Sequence, residues 1–364
     1  MNSPMDKIRV LIVDDSAVIR KLVSQVLGED PALEVSSTAP NGRIALAKIR
    51  HLHPDIITLD VDMPEMDGLT TLVEIRKLYP SLPVIMFSSM TEQGAQVTLE
   101  ALSLGASDYV LKPVHAGSFE NAVTYIRQEL ISKIKALCHK SKLVELPVTQ
   151  PPAAKDGALE AARVEIVILG VSTGGPHALE RLLTEFPANF PVPVLIVQHM
   201  PAVFTNFLAE RLNTKTRIRV LEGKPGDVLK GEHAWIAAGN FHMVIEKKNA
   251  EAVIQTNQES PQNFCRPSVD VLFQSVAKLF GAHTLAVVLT GMGQDGLQGC
   301  KAIREAGGQI IVQDKASSVV WGMPGAVVKA GLADKIVPLD MLGYEIIARV
   351  SKYRAASHAA ETKR

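Results

Sequence analysis

Cysteine is scarce: Cys138, Cys265 and Cys300 are the only three in 364 residues, and they lie far apart. No disulfide framework and no Cys-x-x-Cys zinc or redox motif can be written from them, which points to a reducing, cytoplasmic compartment. Aromatic residues make up only 5%, and charge of one sign is missing, since 38 Lys and Arg stand against 38 Asp and Glu. A nucleic-acid or membrane-surface binder would carry a basic excess on at least one domain, so no nucleic-acid partner is expected. Long apolar runs are absent too: nothing approaches the roughly 18 residues of a membrane span, and residues 1–9 carry charges without an apolar signal core. Membrane insertion is therefore not expected. What is present, 47% hydrophobic and 21% charged residues, suits a folded α/β protein, and at roughly 150 residues per domain the length suggests two domains.

The pattern divides the chain. Pro147, Pro151, Pro152, Ala153, Ala154 and Gly157 fall in a stretch, 138–163, without periodicity, which reads as a linker. The predicted domains are 1–137, where the acidic excess sits, and 164–351, followed by a tail, 352–364, expected to fray. The first alternates strands near 8–13, 34–38, 55–59, 84–87 and 109–111 with helical stretches, which implies a five-stranded parallel sheet covered on both faces. In the second, strands are predicted at 165–169, 194–197, 234–237, 243–246, 252–255, 284–289 and 309–312, with helices at 177–185, 203–212, 269–280 and 296–306. Gly239 and Asn240 read as the two-residue turn of a hairpin joining 234–238 to 241–246. The expected fold class is α/β throughout: a parallel sheet, then a doubly wound sheet with an antiparallel excursion.

Ligands of such sheets collect where the strands end at their carboxyl edge. In the first domain those ends carry Asp14 and Asp15, Asp60, Ser88 and Ser89, and Lys112 with Pro113. Clustered carboxylates repel one another, and a hard cation with oxygen ligands such as Mg²⁺ compensates. Each piece alone is as well explained by a solvated turn; the joint placement after four strands is what suits phosphoryl capture by an aspartate. The segments Val10-Leu11-Ile12-Val13-Asp14-Asp15-Ser16, Leu59-Asp60-Val61-Asp62-Met63-Pro64-Glu65-Met66-Asp67-Gly68, Ser88 and Lys112-Pro113 resemble the receiver domain of two-component response regulators over residues 7–130. That resemblance implies a flavodoxin-like fold with Asp60 as phosphoacceptor and Asp14 and Asp15 as the acidic pocket. It also implies Mg²⁺ on Asp15, Asp60 and the backbone carbonyl of Asp62, Lys112 beside the phosphate, and Ser88 and Tyr109 as the coupling to a distal surface.

In the second domain a strand runs into Gly170-Val171-Ser172-Thr173-Gly174-Gly175-Pro176 and then a helix. Such a turn cradles a pyrophosphate in dinucleotide-binding folds or presents a serine nucleophile. Ser172 stands where the middle glycine of the first motif belongs, and the next strand ends in His199 rather than a ribose-binding acid. Serine and imidazole on neighbouring strand ends are what general-base activation needs. Asp295, after the strand at 284–289, is the candidate orienting carboxylate, although with Gln298 it also reads as a helix cap. Backbone N–H groups of Thr173 and Met292 are candidates for an oxyanion hole. Among the other histidines, His51 and His53, next to Pro54, read as exposed at a helix end, His177, His233, His242 and His283 lack ligand partners at diagnostic spacing, and Cys300 reads as a small packed residue.

Together with Gln198-His199-Met200, Cys265-Arg266-Pro267-Ser268-Val269-Asp270 and Leu289-Thr290-Gly291-Met292-Gly293-Gln294-Asp295-Gly296, that turn resembles the catalytic domain of the chemotaxis protein-glutamate methylesterases over about 164–350. The resemblance implies Ser172 as nucleophile, His199 as base and then acid, Asp295 as its partner, and no cofactor in this domain. It implies demethylation of glutamate γ-methyl esters and deamidation of glutamines on methyl-accepting chemoreceptors, with a chemotaxis histidine kinase as phosphodonor. A response regulator with a nucleic-acid-binding output, a nucleotide-dependent oxidoreductase and a non-catalytic adaptor are the competing readings.

Overall fold

The computed structural model describes residues 7–113, 118–138 and 162–361. The chain splits into two compact units, Met1–Val144 and Glu145–Arg364. Of the predicted linker, all but Cys138, Ala162 and Arg163 lies outside the described residues.

In the first unit β1 (Ile8–Val13), β2 (Leu33–Ala39), β3 (Ile56–Asp60), β4 (Val84–Ser88) and β5 (Asp108–Leu111) form one sheet in the order β2-β1-β3-β4-β5. Every pairing is parallel. The central strands β3 and β4 are buried along their whole length, as continuous apolar runs covered on both faces should be. Helices α1 (Ala17–Gly28), α2 (Gly42–Leu52), α3 (Gly68–Leu78) and α4 (Glu92–Ser103) connect them. Each starts on a side-chain cap, Ser16, Asn41, Asp67 and Thr91, whose oxygen accepts an otherwise unpaired N–H of the first turn. After β5, α5 (Phe119–Ile126) passes through a π-helical turn, Arg127–Ile131, into α6 (Ser132–Cys138).

The second unit has seven parallel strands in the order β14-β13-β12-β6-β7-β9-β8. The central ones are β6 (Ile166–Val171), β7 (Val194–Gln198) and β12 (Thr284–Val288), flanked by β9 (His233–Ile236), β8 (Arg219–Glu222), β13 (Gln309–Gln313) and β14 (Lys335–Val337). Its helices are α7 (Gly175–Thr184), α8 (Ala202–Lys215), α9 (Val269–Phe280), α10 (Leu297–Glu305), α11 (Met323–Lys329) and α12 (Leu339–Glu361). Strands β8 and β14 escape sequence reading because they are the short edges of the sheet and only half buried. Helix α12 continues beyond Ser351 into the predicted tail, and packs through Leu342, Ile346 and Val350, four residues apart on one face.

The predicted hairpin needs correcting. β10 (His242–Lys248) pairs antiparallel with β11 (Glu251–Asn257) in a separate two-stranded sheet, and β9 belongs to the large parallel one. The hairpin turn is Asn249-Ala250, both at positive φ (51° and 68°), which a tight turn of this kind requires. Gly239 has no positive φ. A side chain there would lie 2.2 Å from the Ala202 nitrogen, so glycine serves close approach to the start of α8.

Candidate active site and acidic pocket

In the first unit Asp14 and Asp60, 2% and 1% exposed, meet at the ends of β1 and β3. Lys112, just after β5, reaches both: its Nζ lies 2.7 Å from Asp60 Oδ2 and 3.2 Å from Asp14 Oδ2. The Ser16 N–H binds Asp14 Oδ1 at 2.8 Å, and the Asp62 N–H approaches Asp60 Oδ1 at 3.4 Å. Beyond the Lys112 ion pairs, neither buried Oδ2 has a well-aligned hydrogen bond. Burial, with only partial relief from Lys112 and with repulsion from Asp14, pushes the Asp60 carboxyl up to about 6. Burial likewise raises Asp14 against the pull of Lys112. Lys112 itself is shifted upward, because its two carboxylate partners outweigh its burial.

Asp15 stands exposed beside this pair, and one oxygen from each of Asp14, Asp15 and Asp60 lies within 4.8 Å of the others. One ammonium cannot balance three carboxylates, so an under-coordinated oxygen cluster of this charge fits a hard divalent cation. Asp62 is exposed next to it. Ser88 and Tyr109 do not join the pocket directly. The Ser88 hydroxyl is fully buried and bonds to Thr98 Oγ1 (2.7 Å) and the Gly94 carbonyl (3.2 Å) in α4. The Tyr109 ring is buried, with the Lys133 ammonium 5.1 Å from its centroid.

In the second unit Ser172, His199 and Asp295 follow three adjacent strands, β6, β7 and β12. Backbone bonds tie these ends together: the Ser172 N–H donates to the Thr290 carbonyl (3.0 Å), and the His199 N–H to Val171 (3.3 Å). The Gln198 side chain donates to the Ser172 carbonyl at 3.1 Å. Gly174, at φ 77°, lets the chain turn from Ser172 into α7, and a side chain there would strike Val319 at 2.6 Å.

His199 Nε2 lies 2.8 Å from Asp295 Oδ2. Asp295 is 2% exposed and saturated with donors. Its Oδ2 also accepts the Val269 N–H (2.7 Å), while Oδ1 accepts from Ser268 Oγ (2.8 Å), Asn263 Nδ2 (3.0 Å) and the N–H groups of Gly296 (3.1 Å) and Asp270 (3.2 Å). Burial alone would raise this carboxyl, but His199, Val269 and Ser268 outweigh it and hold the group well below the usual carboxylate range. The helix-cap reading of Asp295 is thus right in kind and wrong in helix. α10 has no side-chain cap, and Asp295 instead satisfies the first N–H groups of α9, 26 residues away at Val269.

The other imidazole nitrogen, Nδ1, faces Cys265 Sγ at 3.5 Å. The Ser172 hydroxyl makes no hydrogen bond among the described residues, so histidine and aspartate are joined while serine waits on the adjoining strand end. Burial lowers the basicity of His199, but the bonds to Asp295 and Cys265 prevail and push it up to about 10. His199, Cys265 and Asp295 have ligand atoms within 4.8 Å of one another. Within the chain the contacts of this group are Nε2 to Asp295 Oδ2 and Nδ1 to Cys265 Sγ. The Thr173 carbonyl accepts from Thr290 Oγ1 (2.9 Å), which holds that turn against the segment containing Met292.

Sequence reasoning missed the supporting residues. Cys265, Ser268 and Asp270 carry no local signal of their partners, and neither does Asn263, which bridges Asp295 and Asp270 (3.0 and 2.9 Å). The available signal is their position just before the helix 269–280 or, for Asp270, in its first turn. His242 is buried, accepts the Ser268 N–H on Nδ1 at 3.2 Å and has its basicity lowered by burial. Cys300 is fully buried.

Two family models match: the response regulator receiver domain over residues 10–124 and the CheB methylesterase over residues 167–346. A protein-glutamate methylesterase/protein-glutamine glutaminase of Trichodesmium erythraeum is 54% identical over 351 residues, covering 95% of this chain and all of that one. A protein of the same name from a Nocardioides species is 45% identical, covering 96% of this chain and 97% of its own. The crystal structure of the Thermotoga maritima CheB methylesterase catalytic domain, 36% identical, covers 51% of this chain and 98% of its own with a TM-score of 0.50. Among the described residues no helix is long and apolar enough to cross a membrane.

Proposed function

Since the chain belongs to the family of protein-glutamate methylesterases/protein-glutamine glutaminases, with a response regulator receiver at its N-terminus, we propose that Ser172, His199 and Asp295 carry out that hydrolysis on methyl-accepting chemoreceptors in chemotactic adaptation. Ser172 Oγ attacks the γ-carbonyl of a glutamyl methyl ester while His199 Nδ1 takes its proton, and the same proton then goes to the departing methoxide as methanol. Water, deprotonated by His199, cleaves the acyl-serine and leaves glutamate. With glutamine the leaving group is ammonia. Asp295 keeps the second nitrogen protonated and stabilises the imidazolium. The Thr173 and Met292 N–H groups are the candidates for holding the oxyanion.

Nδ1 is the nitrogen available for this work, so the ring exchanges Cys265 for Ser172 when substrate binds. The observation that carries the reading is the bond from His199 to a donor-saturated Asp295 beside the Ser172 turn.

In the receiver we assign Asp60 as the phosphoacceptor, supplied by a chemotaxis histidine kinase. Asp15, Asp60 and the Asp62 carbonyl would hold Mg²⁺, which supplies charge neutralisation for the incoming phosphoryl group, with Asp14 completing the pocket. Lys112 pairs with the acquired phosphate, and Ser88 and Tyr109 relay the change. An aspartyl phosphate adds close to two negative charges, enough to bias a two-state element. Phosphorylation is read as activating the hydrolase, and the protein as cytoplasmic.

The test is methanol release from methylated receptor fragments by wild type, Ser172→Ala and Asp60→Asn, with and without a small phosphodonor and Mg²⁺. Release that requires Ser172 and rises with phosphodonor only when Asp60 is present is the expected result. Turnover by Ser172→Ala near the wild-type rate overturns the assignment.

A further inference from the structure

Beside the catalytic pair a small hairpin ends in an aromatic side chain with nothing around it. Gln262 and Cys265 exchange both backbone hydrogen bonds (3.1 and 2.8 Å), closing a two-residue turn of Asn263 and Phe264 at φ 50° and 63°. Asparagine tolerates such a conformation, whereas for a bulky residue it costs about 1–2 kcal/mol. The residue that would avoid this cost at the second position is glycine. Phe264 takes it instead, and it is fully exposed, so contacts within the described chain do not compensate.

The base of the same turn is built into the active site. Asn263 bonds to Asp295 and Asp270, and Cys265 faces the His199 ring. Just beyond, Arg266 is clamped by Asn240 Oδ1 (2.7 Å) and the carbonyls of Gln258 and Glu259 (both 3.0 Å). A strained turn that is anchored on both sides of an exposed aromatic is a feature to connect with ligand binding.

We propose that Phe264 is a substrate-docking residue, whose ring packs against apolar side chains flanking the glutamate of the receptor protein and so brings that glutamate to Ser172. The occupant is a polypeptide because the activity acts on glutamyl and glutaminyl residues of proteins, and such a chain must approach within the reach of a turn bonded to Asp295 and His199. The inference rests on the functional reading above. An aromatic side chain has only two rotatable bonds to order and so loses little entropy on contact, and burial of one ring in an interface centre contributes a large share of affinity.

Equilibrium binding of a methylated receptor cytoplasmic fragment to the full chain carrying Ser172→Ala measures docking without turnover. Adding Phe264→Ala, or Phe264→Gly, which suits the positive φ and preserves the turn, is expected to weaken binding about tenfold or more, while Phe264→Tyr restores it. In the catalytically intact chain the same variants raise KM for the receptor fragment and leave kcat within about twofold. Their kcat/KM on a short blocked peptide bearing a glutamate γ-methyl ester also stays within about twofold. Unchanged receptor binding overturns the proposal. So does an equal loss on both substrates, which would mean that the ring acts through the geometry of Asn263 and Cys265. A rise in unphosphorylated activity with receptor binding intact would place Phe264 against the chain's own receiver, and overturns it as well. Failure of the functional reading has a separate signature: the intact wild type then hydrolyses neither substrate, while the binding comparison still decides the role of Phe264.

Discussion

Two buried aspartates, one in each unit, sit at the carboxyl ends of parallel strands, and their surroundings drive them in opposite directions. Asp60 is pushed up to about 6 and Asp295 is held well below the usual range, although both are almost wholly removed from water. Asp295 accepts hydrogen bonds from Asn263, Ser268, Val269, Asp270, Gly296 and His199. Asp60 has Lys112 and a long bond from Asp62, and must share the lysine with Asp14. Burial pushes both carboxyls up, and the count of donors and neighbouring anions decides whether that push prevails. One carboxylate is fully partnered within the chain, and the other is left under-compensated by it.

The largest expected effects fall on the site around Asp295. Ser172→Ala is expected to lower methanol release on the order of 10⁴-fold or more, measured on protein whose circular dichroism matches wild type. Asp295→Asn should cost a comparable factor in kcat, on the order of 10⁴. It should also lower stability by about 2–4 kcal/mol, since an amide must turn an N–H toward donors. Calorimetry showing an unchanged Tm would mean that the donor shell is not doing what the distances indicate.

In the acidic pocket the same kind of substitution should have the opposite sign. Because the Asp60 carboxyl is held above its unfolded value, it contributes stability that is fully present below about pH 4 and is lost as pH rises through about 6. The loss amounts to about 2–3 kcal/mol without metal. Asp60→Asn, free of that charge, should melt no lower than wild type at pH 7.5 in chelator. Mg²⁺ should raise the wild-type Tm more at pH 7.5 than at pH 5, and raise that of Asp60→Asn less. A Mg²⁺ effect independent of both pH and Asp60 would place the cation elsewhere.

The smallest effect sharpens the comparison at His199. Its upward shift predicts that the acid limb of the kcat/KM profile lies above the ordinary histidine value of about 6.5, because only the neutral ring can accept the Ser172 proton. Cys265→Ala removes one of the two contacts favouring the charged ring and should move the limb toward lower pH. A limb that stays in place in the variant would assign the shift to Asp295 alone.

Much of both units was legible because parallel strands buried on both faces leave unbroken apolar runs. β3, β6, β12 and residues 10–13 of β1 stand out in this way, and each such run ends at the ligand-binding edge. The illegible parts have physical causes as well. β8 and β14 are short edges without a full apolar run, and Gly239-Asn240 resembles a hairpin turn in composition while the glycine is needed for contact with α8.

By itself, then, the sequence determined the two-part α/β architecture and the set of polar groups delivered to the two sheet edges, since strand periodicity and chain order are local properties. Only the tertiary structure decided which groups are partners. Asp295 caps α9 rather than α10, Nδ1 of His199 faces Cys265 rather than Ser172, and Phe264 is lifted clear of the chain on a turn rooted at Asp295. Hydrogen bonding acts over about 3 Å between segments far apart in the chain, and no local pattern encodes that distance.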